Sequence, residues 1–125
     1  MSTVTTTQET FNDVVVSNDI VLIDFWASWC GPCRMFAPVY EAASETHEDV
    51  TFAKVDTEAQ PGLAQAFQIT SIPTLMVIRD GVVLHSQAGA LPAPALEKLI
   101  EAVRDLDMDD VRAQIAAEKS EAADA

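Results

Sequence analysis

Ile20-Val21-Leu22-Ile23-Asp24-Phe25-Trp26-Ala27 is an apolar run of strand length, broken only by Asp24. A strand with one wet face alternates polar and apolar residues. One that does not alternate must be covered on both faces, which is the condition of a central strand in a parallel sheet. Helical patterns on either side can supply the cover. Gln8 to about Val16 reads as a helix, and from Cys33 to about Thr46 the residues Met35, Phe36, Val39 and Ala43 recur near three-four spacing. Pro38 falls inside this second helix, where its absent N–H and its ring break one backbone bond and kink the helix, tilting the first turn away from the rest.

The other elements follow the same alternation. Thr3 to Thr7 is a short edge strand, Val50 to Val55 a further strand, and Pro61-Gly62 opens a short helix through Phe67. Thr74 to Ile78 and Val82 to His85 flank Arg79-Asp80-Gly81, whose Asp-Gly pair marks a hairpin between antiparallel neighbours. Leu96, Leu99, Ile100 and Val103 form an apolar stripe on a helix starting near Pro92 to Pro94. Strands and helices in this order define an α/β fold, a central mixed β-sheet with helices on both faces.

The only two cysteines lie in Trp29-Cys30-Gly31-Pro32-Cys33, where the strand-like run gives way to a helix. Closing so short a ring is worth about 2 kcal/mol in the loop-entropy model, low for a structural staple. A bond so easily opened suits redox turnover. Pro32 fits the first turn of the helix, and Cys30 just before it meets the positive end of the helix dipole, which stabilises a thiolate. A zinc finger is excluded by spacing, because beyond His47 the only other histidine, His85, lies 38 positions further on. An iron–sulfur cluster needs four thiolates and two chains to supply them. The expectation is a redox pair without a metal.

The segment from Asp24 to Pro38, with Trp29-Cys30-Gly31-Pro32-Cys33 at its centre, resembles the active-site segment of the thioredoxin family. Lys54-Val55-Asp56, Ser71-Ile72-Pro73-Thr74, Asp80-Gly81 and Ala88-Gly89-Ala90-Leu91 follow in the family's order and spacing, so the resemblance covers roughly residues 4 to 105. It implies the thioredoxin fold and reduction of disulfides in other proteins, with Cys30 as nucleophile and Cys33 as resolving thiol. It also implies that Ile72-Pro73 is cis and packs on the cysteines, and that Trp29, Gly31, Pro32, Ile72, Pro73, Gly89 and Ala90 form a shallow apolar surface for an extended substrate segment. Regeneration by a thioredoxin reductase is implied too. NADPH would enter only through that enzyme, and no cofactor is expected on this chain. Gly31-Pro32 is the dipeptide of the family's reductases.

Asp24, six residues before Cys30, stands out on physical grounds. Four apolar residues precede it, so burial should hold its carboxyl protonated to unusually high pH, making it a candidate base for Cys33. Lys54, on the neighbouring strand in the family's arrangement, would moderate that shift. The bland alternative places Asp24 at a solvated strand end and Lys54 on the surface.

At 125 residues, 49% hydrophobic, the chain has material for one core. The expected division is residues 1–105 as the thioredoxin-like domain and 106–125 as an acidic extension, partly helical or disordered. From residue 105 on there are seven acids (Asp105, Asp107, Asp109, Asp110, Glu118, Glu121, Asp124) against Arg112 and Lys119. Asp107 can cap a helix with Met108, Val111 and Ile115 on one side. The formal charge of -13 disfavours nucleic acid and anionic membranes. Met1 to Thr10 is polar and no basic residue precedes Arg34, unlike a secretory signal, so a cytoplasmic location is expected. A monomer is expected as well, and the resemblance implies oxidised proteins as its partners. Two other functions compete: an interaction subunit whose thiols are incidental, and a redox sensor.

Overall fold

The computed structural model describes residues 2–124. Five strands form one mixed sheet in the order β1-β3-β2-β4-β5, with β1 Thr3–Thr5, β2 Ile20–Trp26, β3 Thr51–Asp56, β4 Thr74–Arg79 and β5 Val82–Ala88. The apolar run is indeed the middle strand, parallel to β3 on one side and antiparallel to β4 on the other. Its side chains alternate between two cores. Ile20 and Leu22 meet Phe36, Tyr40, Leu96, Ile100 and Val103 from α2 (Gly31–Thr46) and α4 (Ala93–Asp105). Val21, Ile23 and Phe25 meet Phe11, Val14, Leu63 and Phe67, contributed by or adjoining α1 (Phe11–Val16) and α3 (Pro61–Ala66). Covered faces on both sides are why this strand shows no polar alternation.

Several boundaries move for local reasons. The first helix begins at Phe11, not Gln8, because the Thr7 carbonyl accepts from both Thr10 N (3.2 Å) and Phe11 N (2.9 Å), winding residues 8–10 into a turn. The second begins at Gly31, two residues before Cys33, with Cys30 as its N-cap. The hairpin turn has both central residues left-handed, Asp80 at φ 54° and Gly81 at φ 77°, the geometry that favours Asp-Gly. α2 continues through Pro38 to Thr46. Its buried side is Cys33, Phe36, Tyr40, Ala43 and Ser44, whereas Met35, assigned to the apolar stripe by spacing, is 75% exposed. Phe36 and Ala43 are buried as the spacing predicts and Val39 packs partly on the same core, while Tyr40, outside the stripe, is fully buried.

At the end of the sheet remote from the cysteines, charges are paired. Arg104 holds Asp49 through two bonds of 2.7 and 2.6 Å and donates to His47 Nδ1 at 2.7 Å, while His47 Nε2 lies 2.7 Å from Glu97. Because a guanidinium can only donate, Nδ1 must accept, so His47 is in the tautomer that donates from Nε2 to Glu97. Arg79 caps α4, donating to the carbonyls of Val103 (2.7 Å) and Leu106 (2.9 Å). Residues 108–124 form α5, with Asp107 accepting from Asp109 N at 3.0 Å as its cap and Met108 only 6% exposed. Among the described residues no helix is long and apolar enough to cross a membrane.

Candidate active site

Where β2 ends and α2 begins, the chain brings its two sulfurs together as a disulfide, the two Cα atoms 5.2 Å apart. Cys30 is extended at φ -86°, ψ 113°, and its Sγ accepts from the N–H of Cys33 at 3.2 Å, one of the donors a helix start leaves free. Exposure does not separate the two, at 4% for Cys30 and 3% for Cys33. Position does. Cys30 stands outside the helix with its Sγ 3.6 Å from the Ile72 carbonyl oxygen, while Cys33 lies in the first turn and lines a cavity of about 90 Å³ with Trp26, Ala27, Arg34, Ala37 and Lys54. Gly31 and Pro32 are exposed over the disulfide.

Alternation along β2 sends Asp24 to the same side as Leu22, under α2. It is 1% exposed and neither carboxylate oxygen has a hydrogen-bond partner among the described residues. Burial pushes its pKa from 3.8 up to about 7, and Lys54 opposes the rise. Lys54 stands directly across from Asp24 in the β2–β3 register, with its Nζ 5.0 Å over the Trp26 ring. An unpaired carboxyl in such a place costs free energy as an anion and much less as an acid, so it keeps its proton until near neutrality. A group poised there can take up or release one at working pH.

The surface residues converge from three loops. The Ile72–Pro73 bond is cis, Pro73 is buried, and its carbonyl accepts from Gly89 N at 2.8 Å, which holds Gly89 and Ala90 beside it. Gly89 has φ +102°, where any other residue is strained, and open space lies where a Cβ would point. Trp29 is 65% exposed, its ring fixed by an Nε1 bond to Glu58 at 2.6 Å. A groove of about 200 Å³ is lined by Trp29, Ile72, Ala64 and Ile69. A second, of about 300 Å³, opens among Met35, Phe36, Ala90 and Leu91.

Sequence reasoning missed Glu58, Met35 and Leu91. Nothing local marks Glu58 as the partner of a tryptophan 29 positions earlier. Met35 was legible only as an apolar residue, and its solvent exposure beside the cysteines emerges from how α2 is rotated on the sheet.

With this geometry in hand, comparison with known proteins is direct. The family model Thioredoxin matches residues 2–102. Putative thioredoxin 2 of Streptomyces coelicolor is 56% identical over 97% of this chain and 90% of that protein. A bifunctional thioredoxin reductase/thioredoxin of Mycobacterium leprae is 47% identical over 69% of this chain and 19% of its own length. Among solved structures, a single-residue mutant of thioredoxin from Halobacterium salinarum NRC-1 superposes with a TM-score of 0.79 at 36% identity, covering 85% of this chain and 94% of that one. The chain belongs to the thioredoxin family, and with its redox-active Cys30–Cys33 pair it is a thiol–disulfide oxidoreductase.

Proposed function

We propose that the chain reduces disulfides in other proteins, with Cys30 attacking and Cys33 resolving. The observation that carries this division is Cys30 Sγ accepting the Cys33 N–H at the open end of α2, 3.2 Å away. That donor and the helix dipole stabilise negative charge on Cys30 and do nothing comparable for Cys33. The Cys30 thiolate attacks one substrate sulfur, the other leaves as a thiolate and is protonated, and a mixed disulfide remains. Cys33 then gives its proton to Asp24, directly or through a water in the small cavity, and its thiolate attacks Cys30 Sγ. The second substrate sulfur leaves. Two electrons have passed to the substrate, and the chain is left with the Cys30–Cys33 disulfide.

Lys54, facing Asp24, tunes this base. Substrate binds extended across Trp29, Gly31, Pro32, Ile72, Pro73, Gly89 and Ala90, a reading supported by the grooves that Trp29 and Ile72, and Met35 and Ala90, line. Thioredoxins are reduced by thioredoxin reductase, and we assign the same donor to this chain, supported by the relative that carries both activities. Its place of work is the cytoplasm, a compartment that keeps such thiols reduced, and it acts as a monomer. Residues 1–105 form the working unit, and 106–125 an acidic extension.

The test is insulin-disulfide reduction driven by dithiothreitol. Catalytic amounts of the chain should turn over many times, Cys30→Ser should be inactive, and Cys33→Ser should accumulate a mixed disulfide with substrate. Trapping that survives Cys30→Ser and is lost in Cys33→Ser reverses the assignment, and a stoichiometric complex without turnover favours a binding role.

A further inference from the structure

Tyr40 is the largest of the fully buried side chains, two turns beyond Cys33 on the same side of α2. Its hydroxyl lies 3.0 Å from the Leu22 carbonyl oxygen and 2.8 Å from that of Ala53, so one proton is shared between an acceptor on β2 and an acceptor on β3. Leu22 is one pleat before Asp24 on the same face of β2, and Ala53 immediately precedes Lys54 on β3. The ring is held upright by Phe36, at 5.5 Å between centroids, and Phe52, at 5.1 Å edge-on.

A hydroxyl in an apolar core is costly unless bonded, and phenylalanine would fill this space with no polar atom to satisfy. What the hydroxyl adds to packing is direction, because apolar contacts tolerate sliding and a hydrogen bond does not. Tyr40 also lies two residues past Pro38, whose missing N–H frees the Arg34 carbonyl and loosens the turn that carries the cysteines. It therefore anchors the part of α2 just beyond the missing backbone bond.

We propose that Tyr40 is a positioning residue for thiol–disulfide exchange: its hydroxyl ties α2, which carries Cys33, to β2 and β3, which carry Asp24 and Lys54, and so sets the gap across which Cys33 gives up its proton. The proposal rests on Asp24 being the base for Cys33. Among the described residues, Lys54 on β3 stands across from Asp24, Tyr40 on α2 feels the Asp24 charge, Cys33 lines the small cavity together with Lys54, and β4 places the apolar Leu75 opposite. Burial, with Asp24 and Glu41 nearby, keeps the Tyr40 phenol well above its ordinary range, so the hydroxyl stays a donor throughout. Without that tie α2 can lift, water enters the small cavity beside Cys33, and a rehydrated Asp24 ionises at lower pH.

The experiment reacts the reduced protein with an aromatic disulfide whose two coloured leaving groups report attack by Cys30 and resolution by Cys33 in turn, across pH, in the parent, Tyr40→Phe, Asp24→Asn and the double variant. Tyr40→Leu, which also keeps an apolar side chain, replaces Tyr40→Phe if the latter does not fold. Resolution should slow about fivefold in Tyr40→Phe, as for a modest loss of alignment, with attack unchanged and the pH midpoint of resolution moved down. In the Asp24→Asn background, removing the hydroxyl should cost almost nothing, because the two residues act on one step. Equal slowing in both backgrounds, or an unmoved midpoint, reduces Tyr40 to a structural role and overturns the proposal. If Asp24→Asn alone leaves the rate and profile of resolution unchanged, the base assignment fails, and the Tyr40 role falls with it.

Discussion

The two ends of α2 handle charge in opposite ways. At the cysteine end, Asp24 is buried with no hydrogen-bond partner among the described residues, and burial raises its pKa from 3.8 to about 7. At the far end Asp49 is gripped by Arg104, whose hydrogen bonds hold its carboxyl below the usual range. The consequences for stability have opposite sign. Asp24 in the fold keeps a proton that the unfolded chain releases, so its contribution is fully present below pH 4 and is lost as pH rises toward 7. Asp49 contributes above its unfolded pKa, and that contribution is lost as pH falls through the depressed folded value. The far end is arranged for holding the fold together. The cysteine end accepts a cost in stability in exchange for a group that can change protonation state at neutral pH.

The sharpest way to break this contrast is to remove chemistry from one end and ask whether the other notices. Cys33→Ser should reduce multiple-turnover insulin reduction to the uncatalysed background, while the paired charges around Arg104 keep the melting temperature of the reduced protein nearly unchanged. A variant that still turns over at the parental rate would remove Cys33 from the mechanism.

Asp24→Asn tests both halves of the contrast in one protein. Resolution by Cys33 should slow by about a hundredfold, the usual scale for losing a positioned base. Stability should rise near neutral pH, since the span from 3.8 to about 7 is worth on the order of 4 kcal/mol. Part of that is offset by burying an unpaired amide. Denaturant unfolding at pH 4 and pH 7 measures it: the variant's advantage must grow with pH, and an advantage independent of pH means that Asp24 has an ordinary pKa.

Truncation after Asp107 removes α5 while sparing the Leu106 carbonyl that Arg79 holds. Its main loss is the burial of Met108, about 2 kcal/mol, and insulin reduction should stay within about twofold, as for a change remote from the site. A large fall in activity would mean that the extension takes part in the chemistry. Smallest of all should be Arg104→Ala. Asp49 is more than half exposed, with 55% of its side-chain surface open, so the pair is worth about 0.5 to 1 kcal/mol, shrinking with added salt. Reduction kinetics unchanged beside that small loss would confirm the separation of the two ends, whereas a shifted pH profile for resolution would show that they communicate.

Much of this molecule is readable along the chain because its signals are local. The unalternating run Ile20 to Ala27 could only be a strand covered on both faces, and the structure places it in the middle of the sheet. Asp80-Gly81 predicted a hairpin because those residues tolerate left-handed backbone, which both adopt. The cysteine spacing put both sulfurs at a helix start, and Asp24 betrayed itself as the one polar residue in an apolar strand. Elements end, by contrast, where side-chain and backbone donors happen to compete. Thus Thr7 delayed the first helix and Cys30 became a cap in advance of the second.

What the sequence by itself determined, then, is the order of elements, the identity of the redox pair and the anomaly of Asp24, each of which depends on neighbours a few positions away. Only the tertiary structure decided which face of α2 turns inward, so that Met35 is exposed and Tyr40 is buried with its hydroxyl between β2 and β3. The tertiary structure alone also decided that Glu58 holds Trp29 and that Arg104 gathers His47 and Asp49, whereas the place of Lys54 opposite Asp24 was implied by the family resemblance and not by any local pattern. The physical reason is common to all of these. Helical periodicity specifies a stripe only to within a residue or so, and contacts between residues far apart in the chain are set by how the layers dock, which no local pattern encodes.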